Sequence, residues 1–193
     1  KAGRWVIRVS FPGADTSVRI VPGKSAKTVF NFFRGPREAW TTDVPSCRSI
    51  VYKDLWPGID LVYDGGKGRL KSTFIVRPGA DPGMIRIAYS GARAVSVEEG
   101  GALRVETSFG GLIEKAPEAW QDRGGVRRPV TASYVVRKGA GKGAWAASFR
   151  LGSHDPEQTL VIDPPLFTYC GYIGGSGDEW GYGIAVDSSG CAY

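Results

Sequence analysis

Histidine and methionine are almost missing from this 193-residue chain, which holds one of each, His154 and Met84, and three cysteines, Cys47, Cys170 and Cys191. With no C-x-x-C pair and a single imidazole, ligands at usable spacing are too few for a zinc site. Three cysteines are also too few for a disulfide-dense miniature scaffold, and the length suffices to bury a core without cross-links. Long apolar runs are absent as well. No stretch approaches the roughly 20 apolar residues of a membrane helix. Residues 1–20 alternate instead of forming the apolar core of a leader, which places any export signal upstream of Lys1.

What the chain has in quantity is punctuation. Its 28 glycines and 12 prolines interleave with 42% hydrophobic residues, the texture of turns between short strands. Trp5–Phe11 and Ser17–Val21 alternate apolar and polar positions with β-branched members and read as two half-buried strands, the second stopped by Pro22-Gly23. Val29–Phe33 is a compact aromatic run. Trp40 follows Gly35-Pro36 and reads as a core-seeking ring on a loop. Further strands are expected at Ser49–Tyr52, Ile59–Tyr63, Leu70–Val76, Ile85–Tyr89, Ala94–Val97, Leu103–Thr107, Leu112–Glu114, Val130–Val136, Trp145–Leu151 and Leu160–Ile162. Between Glu114 and Gln121 the residues favour a helix, but Pro117 in its interior would cost about 3 kcal/mol, so the stretch reads as a bend. Gly100-Gly101 and Gly110-Gly111 supply hairpin turns. The expected fold is all-β: an antiparallel β-sandwich of many short strands, sequential strands pairing as a meander.

Lys and Arg outnumber Asp and Glu by 25 to 19, a formal charge of +6. The basic residues fall singly along strands, with only Arg123, Arg127 and Arg128 close together. This is the distribution of a solvated surface, not of a nucleic-acid site.

Several phrases carry more than texture. WPGIDLVYDGG (Trp56–Gly66), IVRPGADPGMI (Ile75–Ile85) and LVIDP (Leu160–Pro164) are preceded by WTTDVP (Trp40–Pro45). A Pro117–Arg128 stretch contains Gln121 and Gly124-Gly125. In this order they are similar to the N-terminal domain that precedes SBBP-type β-propeller repeats in bacterial extracellular proteins, over essentially the whole chain. Phe167–Tyr193 (FTYCGYIGGSGDEWGYGIAVDSSGCAY) resembles the opening of the first such repeat, with Cys191 where that pattern has Asn. The resemblance implies an all-β domain over 1–164, as one sandwich or two sub-sandwiches, then an incomplete propeller-type repeat over 165–193. It also implies a secreted or cell-surface location and no assigned biochemical activity.

The conspicuous polar residues have structural accounts. Pro57-Gly58 presets a type II turn, and Pro78–Pro82 is a rigid connector in which Asp81 can accept backbone hydrogen bonds. Asp60 and Asp81 lack the partner carboxylate and cleft of an acid pair. Ser153, His154 and Asp155 are adjacent in sequence, whereas triad members converge from separate elements, so Ser-His-Asp-Pro reads as a turn. GGSGD (Gly174–Asp178) lacks the G-K-[ST] of a phosphate loop. Asp178, Glu179 and Asp187 could ligate calcium, or serve as turn residues.

The functional expectation is therefore a non-catalytic structural or adhesion-type module. A propeller blade takes four strands over about 40–45 residues, more than 165–193 supply, and unfinished edges are templates for another strand. The interaction residues expected are Tyr169, Tyr172, Tyr182, Ile184, Val186 and Tyr193, giving a homo-oligomer or strand-exchanged polymer. Cys170 and Cys191 lie in neighbouring candidate strands and would bridge in an oxidising compartment, leaving Cys47 free; three reduced, buried thiols are the alternative. The rival function is a carbohydrate-binding β-sandwich, for which the six tryptophans supply stacking rings and buried rings would leave no platform.

Overall fold

A computed structural model describes residues 6–66, 69–108, 110–139 and 143–164. The repeat-like stretch 165–193 lies outside the described residues, and with it the expected interaction residues, the Cys170–Cys191 pair and the calcium candidates.

The described chain is an all-β antiparallel sandwich without an α-helix. The strands are β1 (Arg8–Ser10), β2 (Arg19–Pro22), β3 (Ser25–Phe32), β4 (Thr41–Cys47), β5 (Ser49–Trp56), β6 (Ile59–Gly66), β7 (Arg69–Val76) and β8 (Ile87–Ser90). They continue with β9 (Ala94–Val97), β10 (Leu103–Thr107), β11 (Gly110–Glu114), β12 (Glu118–Arg123), β13 (Val126–Val130), β14 (Ala132–Lys138), β15 (Ala144–Leu151) and β16 (Leu160–Asp163). A seven-stranded sheet has the order β13-β12-β16-β7-β6-β5-β2, and a four-stranded sheet runs β1-β8-β15-β14. A three-stranded meander, β11-β10-β9, and a separate two-stranded hairpin, β3-β4, complete the set.

One core joins the three larger sheets. Alternation aims Ile59 and Leu61 of β6, Phe74 and Val76 of β7, and Leu160 and Ile162 of β16 to the same buried side. Trp56, 1% exposed, is the largest core side chain; Phe11 meets its ring edge-on at 5.9 Å, and its Nε1 donates to the Pro12 carbonyl at 3.2 Å. Phe149 of β15 contacts Phe74 of β7 at 5.8 Å and Tyr134 of β14 at 5.5 Å, which ties the four-stranded sheet to the seven-stranded one. Leu103 and Val105 bring the meander into the same cluster.

Turn chemistry behaves as the sequence predicts at Pro57-Gly58, where Gly58 takes φ +75° between Trp56 and Ile59. A Cβ there would lie 2.6 Å from that of Ala80, so glycine is required by space as well as by φ. Asp81 accepts from the Gly83 N–H at 2.8 Å and caps a short 3₁₀ turn, Pro82–Met84. That turn delays β8: Ile85 is fully buried but the strand begins at Ile87.

Elsewhere the sequence expectations need correction. Residues 115–117 form the expected bend, but 118–121, assigned to the same bend, belong to β12, which is paired on both sides. Pro117 excludes a helix without preventing a strand from starting one residue later. Val130–Val136 is two strands, not one: it changes sheet at Thr131, whose carbonyl accepts from the Gly152 N–H. Alternation that runs on through Thr131, from Val130 to Tyr134, hid the break. Gly110-Gly111 are the first residues of β11, opposite Thr107 and Glu106, and do not form the turn itself. The first strand is only Arg8–Ser10. The pairing is not a simple meander either, since β16 inserts between β12 and β7, and β8 joins β1 to β15.

A candidate interaction arm and the buried polar clusters

The β3-β4 hairpin leaves the sandwich altogether. From Ser25 to Cys47 no residue is buried, and most are exposed. Its root is fixed by three backbone bonds, Gly23 N–H to Ser49 O at 2.8 Å, Arg48 N–H to Lys24 O at 2.7 Å and Gly65 N–H to Arg48 O at 2.8 Å, and by the Lys24 N–H donating to the Ser49 side-chain Oγ at 2.6 Å. Gly23 is obligatory in this knot, because a Cβ would collide with Ser49 Oγ. Lys24 adds an ion pair to Asp64 at 3.1 Å.

Within the arm, Val29 faces Pro45 and Phe30 faces Val44, but the register slips before Phe32 meets Thr41. Asp43 occupies the extra position with φ +57°, its N–H bound by Asn31 Oδ1 at 2.8 Å. This is a β-bulge, which twists an arm and interrupts its edge. At the tip, a 3₁₀ turn over Arg37–Ala39 brings Trp40 back against Phe33, ring centroids 4.9 Å apart, with Nε1 donating to the Gly35 carbonyl at 3.3 Å. The guanidinium of Arg37 lies 5.8 Å from the Trp40 ring.

The consequence is an apolar surface. Phe33 is 60% exposed, Phe32 52%, Val29 51%, and Phe30 and Trp40 41% each. Trp40 is therefore not the core residue the sequence suggests. Among the described residues neither outer edge of the arm pairs with another strand. Exposed aromatics and unpaired backbone edges on a hairpin are the features by which strand addition works in general. The sequence carries a signal for this: VFNFF places apolar rings at both parities, whereas a strand with one buried face would alternate. Cys47 is reduced and exposed at the foot of β4, contrary to the reading in which all three thiols are buried.

Three polar clusters lie elsewhere. At the Pro57-Gly58 end, Asp60 is buried and accepts from Lys53 Nζ at 2.6 Å, the Asp54 N–H at 2.9 Å and Arg77 Nη1 at 2.9 Å. Burial pushes its pKa up, but the Asp54 N–H and the two cations outweigh it and hold the carboxyl below the usual range. Arg77 also pairs with Asp54, which sits at φ +54° in the irregular part of β5. Here Asp60 is a charge-satisfied fastener.

Gln121, also buried, accepts from the Asp155 N–H at 2.9 Å and donates to the carbonyls of Asp155 and Gln158 at 2.8 and 3.1 Å. It pins the 152–159 loop, in which His154 Nδ1 is 2.9 Å from the Gly152 carbonyl and Asp155 Oδ1 accepts from the Glu157 N–H. The Ser-His-Asp-Pro segment is thus a held turn.

Glu114, 4% exposed, stands between Tyr89 and Tyr134, whose hydroxyls donate to Oε1 at 3.0 Å and Oε2 at 2.9 Å. Burial pushes Glu114 above the ordinary glutamate value despite these two bonds, and both tyrosines are driven far above theirs. Tyr63 nearby is pushed up to about 12, mainly by burial. The space between these groups and Phe11 is about 20 Å³, too small to admit a substrate.

Among the described residues no group of three or more His, Cys, Asp or Glu could hold a metal ion, and no helix is long and apolar enough to cross a membrane. Trp56 is buried, Trp120 and Trp145 are half-buried, and only Trp40 of the described tryptophans is exposed. The Arg127 guanidinium lies 4.0 Å from the Trp120 ring centroid.

Fold and surfaces define an antiparallel β-sandwich bearing a projecting aromatic arm. Residues 2–165 match the family described as "Domain of unknown function (DUF7948)", and the chain belongs to that family. No curated protein and no solved structure matches it.

Proposed function

We propose that this domain is a non-catalytic structural or adhesion-type module of a cell-surface or extracellular assembly, and that it joins neighbouring copies through exposed strands. The observation that carries the reading is the arm: five large apolar side chains held in solvent on a hairpin that the sandwich core does not cover. A two-stranded hairpin is marginal by itself, and the Asp43 bulge lies on β4, so the β3 edge stays open, a hazard that soluble domains usually blunt or cover. A partner strand would satisfy both the backbone edge and the rings. The similarity of the chain's motifs to domains that precede SBBP repeats supports the extracellular setting, and the repeat-like sequence of 165–193 supports a role for that segment in pairing.

Sedimentation equilibrium of the 193-residue chain across a wide concentration range tests this. Reversible self-association is expected; a single 20.7 kDa species at every concentration would refute it. The rival carbohydrate-binding reading draws on the same rings, but Phe33 and Trp40 meet at 75° and do not form a coplanar platform. Retention of the chain on a glycan array, lost on mutation of Trp40, would favour that reading instead.

A further inference from the structure

We infer that the arm is the acceptor for residues 165–193 of a second copy, and that the exchange is reciprocal, closing a two-fold dimer. The inference rests on the assembly reading above and adds to it the receiving surface and the symmetry.

Arm and segment are opposite in charge. The arm and its root, 24–48, carry Lys24, Lys27, Arg34, Arg37 and Arg48 against Glu38 and Asp43. Residues 165–193 carry Asp178, Glu179 and Asp187 and no basic residue. Complementary sign steers encounter and fixes register. The apolar inventories match too: Phe30, Phe32, Phe33 and Trp40 are exposed on the arm, and the sequence of 165–193 contains Tyr169, Tyr172, Trp180, Tyr182, Ile184 and Val186.

The two edges of the arm differ in their donors. β4 contains Pro45, which has no N–H to donate, whereas β3 has an unbroken set of donors from Ser25 to Phe32. An incoming strand adds to the outer edge of β3.

The end of β16 and the arm root also lie close together. β16 ends at Asp163, which pairs with Lys71 at 2.5 Å; Lys71 stands opposite Asp64 in the β6–β7 register, and Asp64 holds Lys24 at the arm root. The chain therefore leaves the sandwich at the same end of the seven-stranded sheet from which the arm projects. β16 and β5 are three strand spacings apart, about 14 Å. Donor and acceptor at one end of the molecule favour an isologous, self-closing pair, whereas an open polymer is favoured by placing them at opposite ends.

The test uses the 193-residue chain and four charge changes. Lys27→Glu/Arg34→Glu should weaken dimerisation about tenfold, and adding Asp178→Lys/Glu179→Lys should restore most of it. Ile184→Pro/Val186→Pro should abolish it by removing strand donors. In a mixture of ¹⁴N- and ¹⁵N-labelled copies, a short bis-maleimide should join Cys47 to Cys170 or Cys191 between differently labelled chains. Association lost with the proline variant but indifferent to the arm charges would overturn the arm as acceptor and leave the assembly reading standing. Links confined to one label would overturn exchange, growth beyond the dimer would overturn reciprocal closure, and a monomer throughout would remove both inference and reading.

Discussion

Glu114 and Tyr134 come from strands of different sheets, β11 and β14, and meet at 2.9 Å inside the core, with Tyr89 completing the bridge from β8. The carboxylate is a polar rivet between the meander and the four-stranded sheet. Glu114→Leu would leave both tyrosine hydroxyls buried and unpaired, at a cost of about 1–3 kcal/mol each. Urea unfolding should show a loss of about 2–6 kcal/mol, while Glu114→Gln, which keeps a hydrogen-bonding head, should lose clearly less.

The same residue sets a pH dependence. Because burial raises Glu114 above 4.5, the folded state binds its proton more tightly than the unfolded chain does. Its contribution to stability is complete below the unfolded value and is lost as pH rises through the folded value. Glu114→Gln should therefore flatten the decline in melting temperature above pH 4.5, relative to the native chain.

Asp60 works in the opposite direction. Its pKa is lowered from 3.8, so its stabilising contribution is present above that value and disappears as pH falls through the lower folded value. Lys53 and Arg77 are 48% and 40% exposed, so solvent screens the pair, and Asp60→Asn should cost only about 1–2 kcal/mol at neutral pH. In thermal scans from about pH 7 down to about pH 2, the native chain and the Asp60→Asn variant should converge at the acid end.

Core and arm should respond in opposite ways to loss of an aromatic ring. Trp56→Ala removes a fully buried ring and should cost about 3–5 kcal/mol. Phe32→Ser/Phe33→Ser/Trp40→Ser removes exposed rings and should shift unfolding by no more than about 0.5 kcal/mol per site, while strongly weakening self-association. Parallel chemical denaturation and sedimentation of the two variants would show the contrast.

The sequence makes the sandwich class and most strands legible because alternation and turn residues are local signals. Ala94–Val97 and Leu103–Thr107 are found where alternation puts them, and Pro57-Gly58 turns as its chemistry requires. Sheet membership is not local, which is why the passage from β13 to β14 through Thr131 and the insertion of β16 beside β7 escape a linear reading. The arm escaped for a different reason. A Trp is usually worth more inside than outside; the apolar residues at both parities of VFNFF are the local hint, and the placement of β3 and β4 beyond the core shows that Trp40 and its phenylalanines pack on one another and not on the sandwich. Glu114 gave no signal in sequence, since both its partners are distant tyrosines.

The claim that the arm is the working surface is tested most directly by amide hydrogen exchange of residues 25–47 at low and high protein concentration. The account predicts rapid exchange from the outer edge of β3 in dilute solution and at least about tenfold slower exchange when concentrated, with β5, β6 and β7 unchanged. Exchange in the arm that is independent of concentration would contradict it.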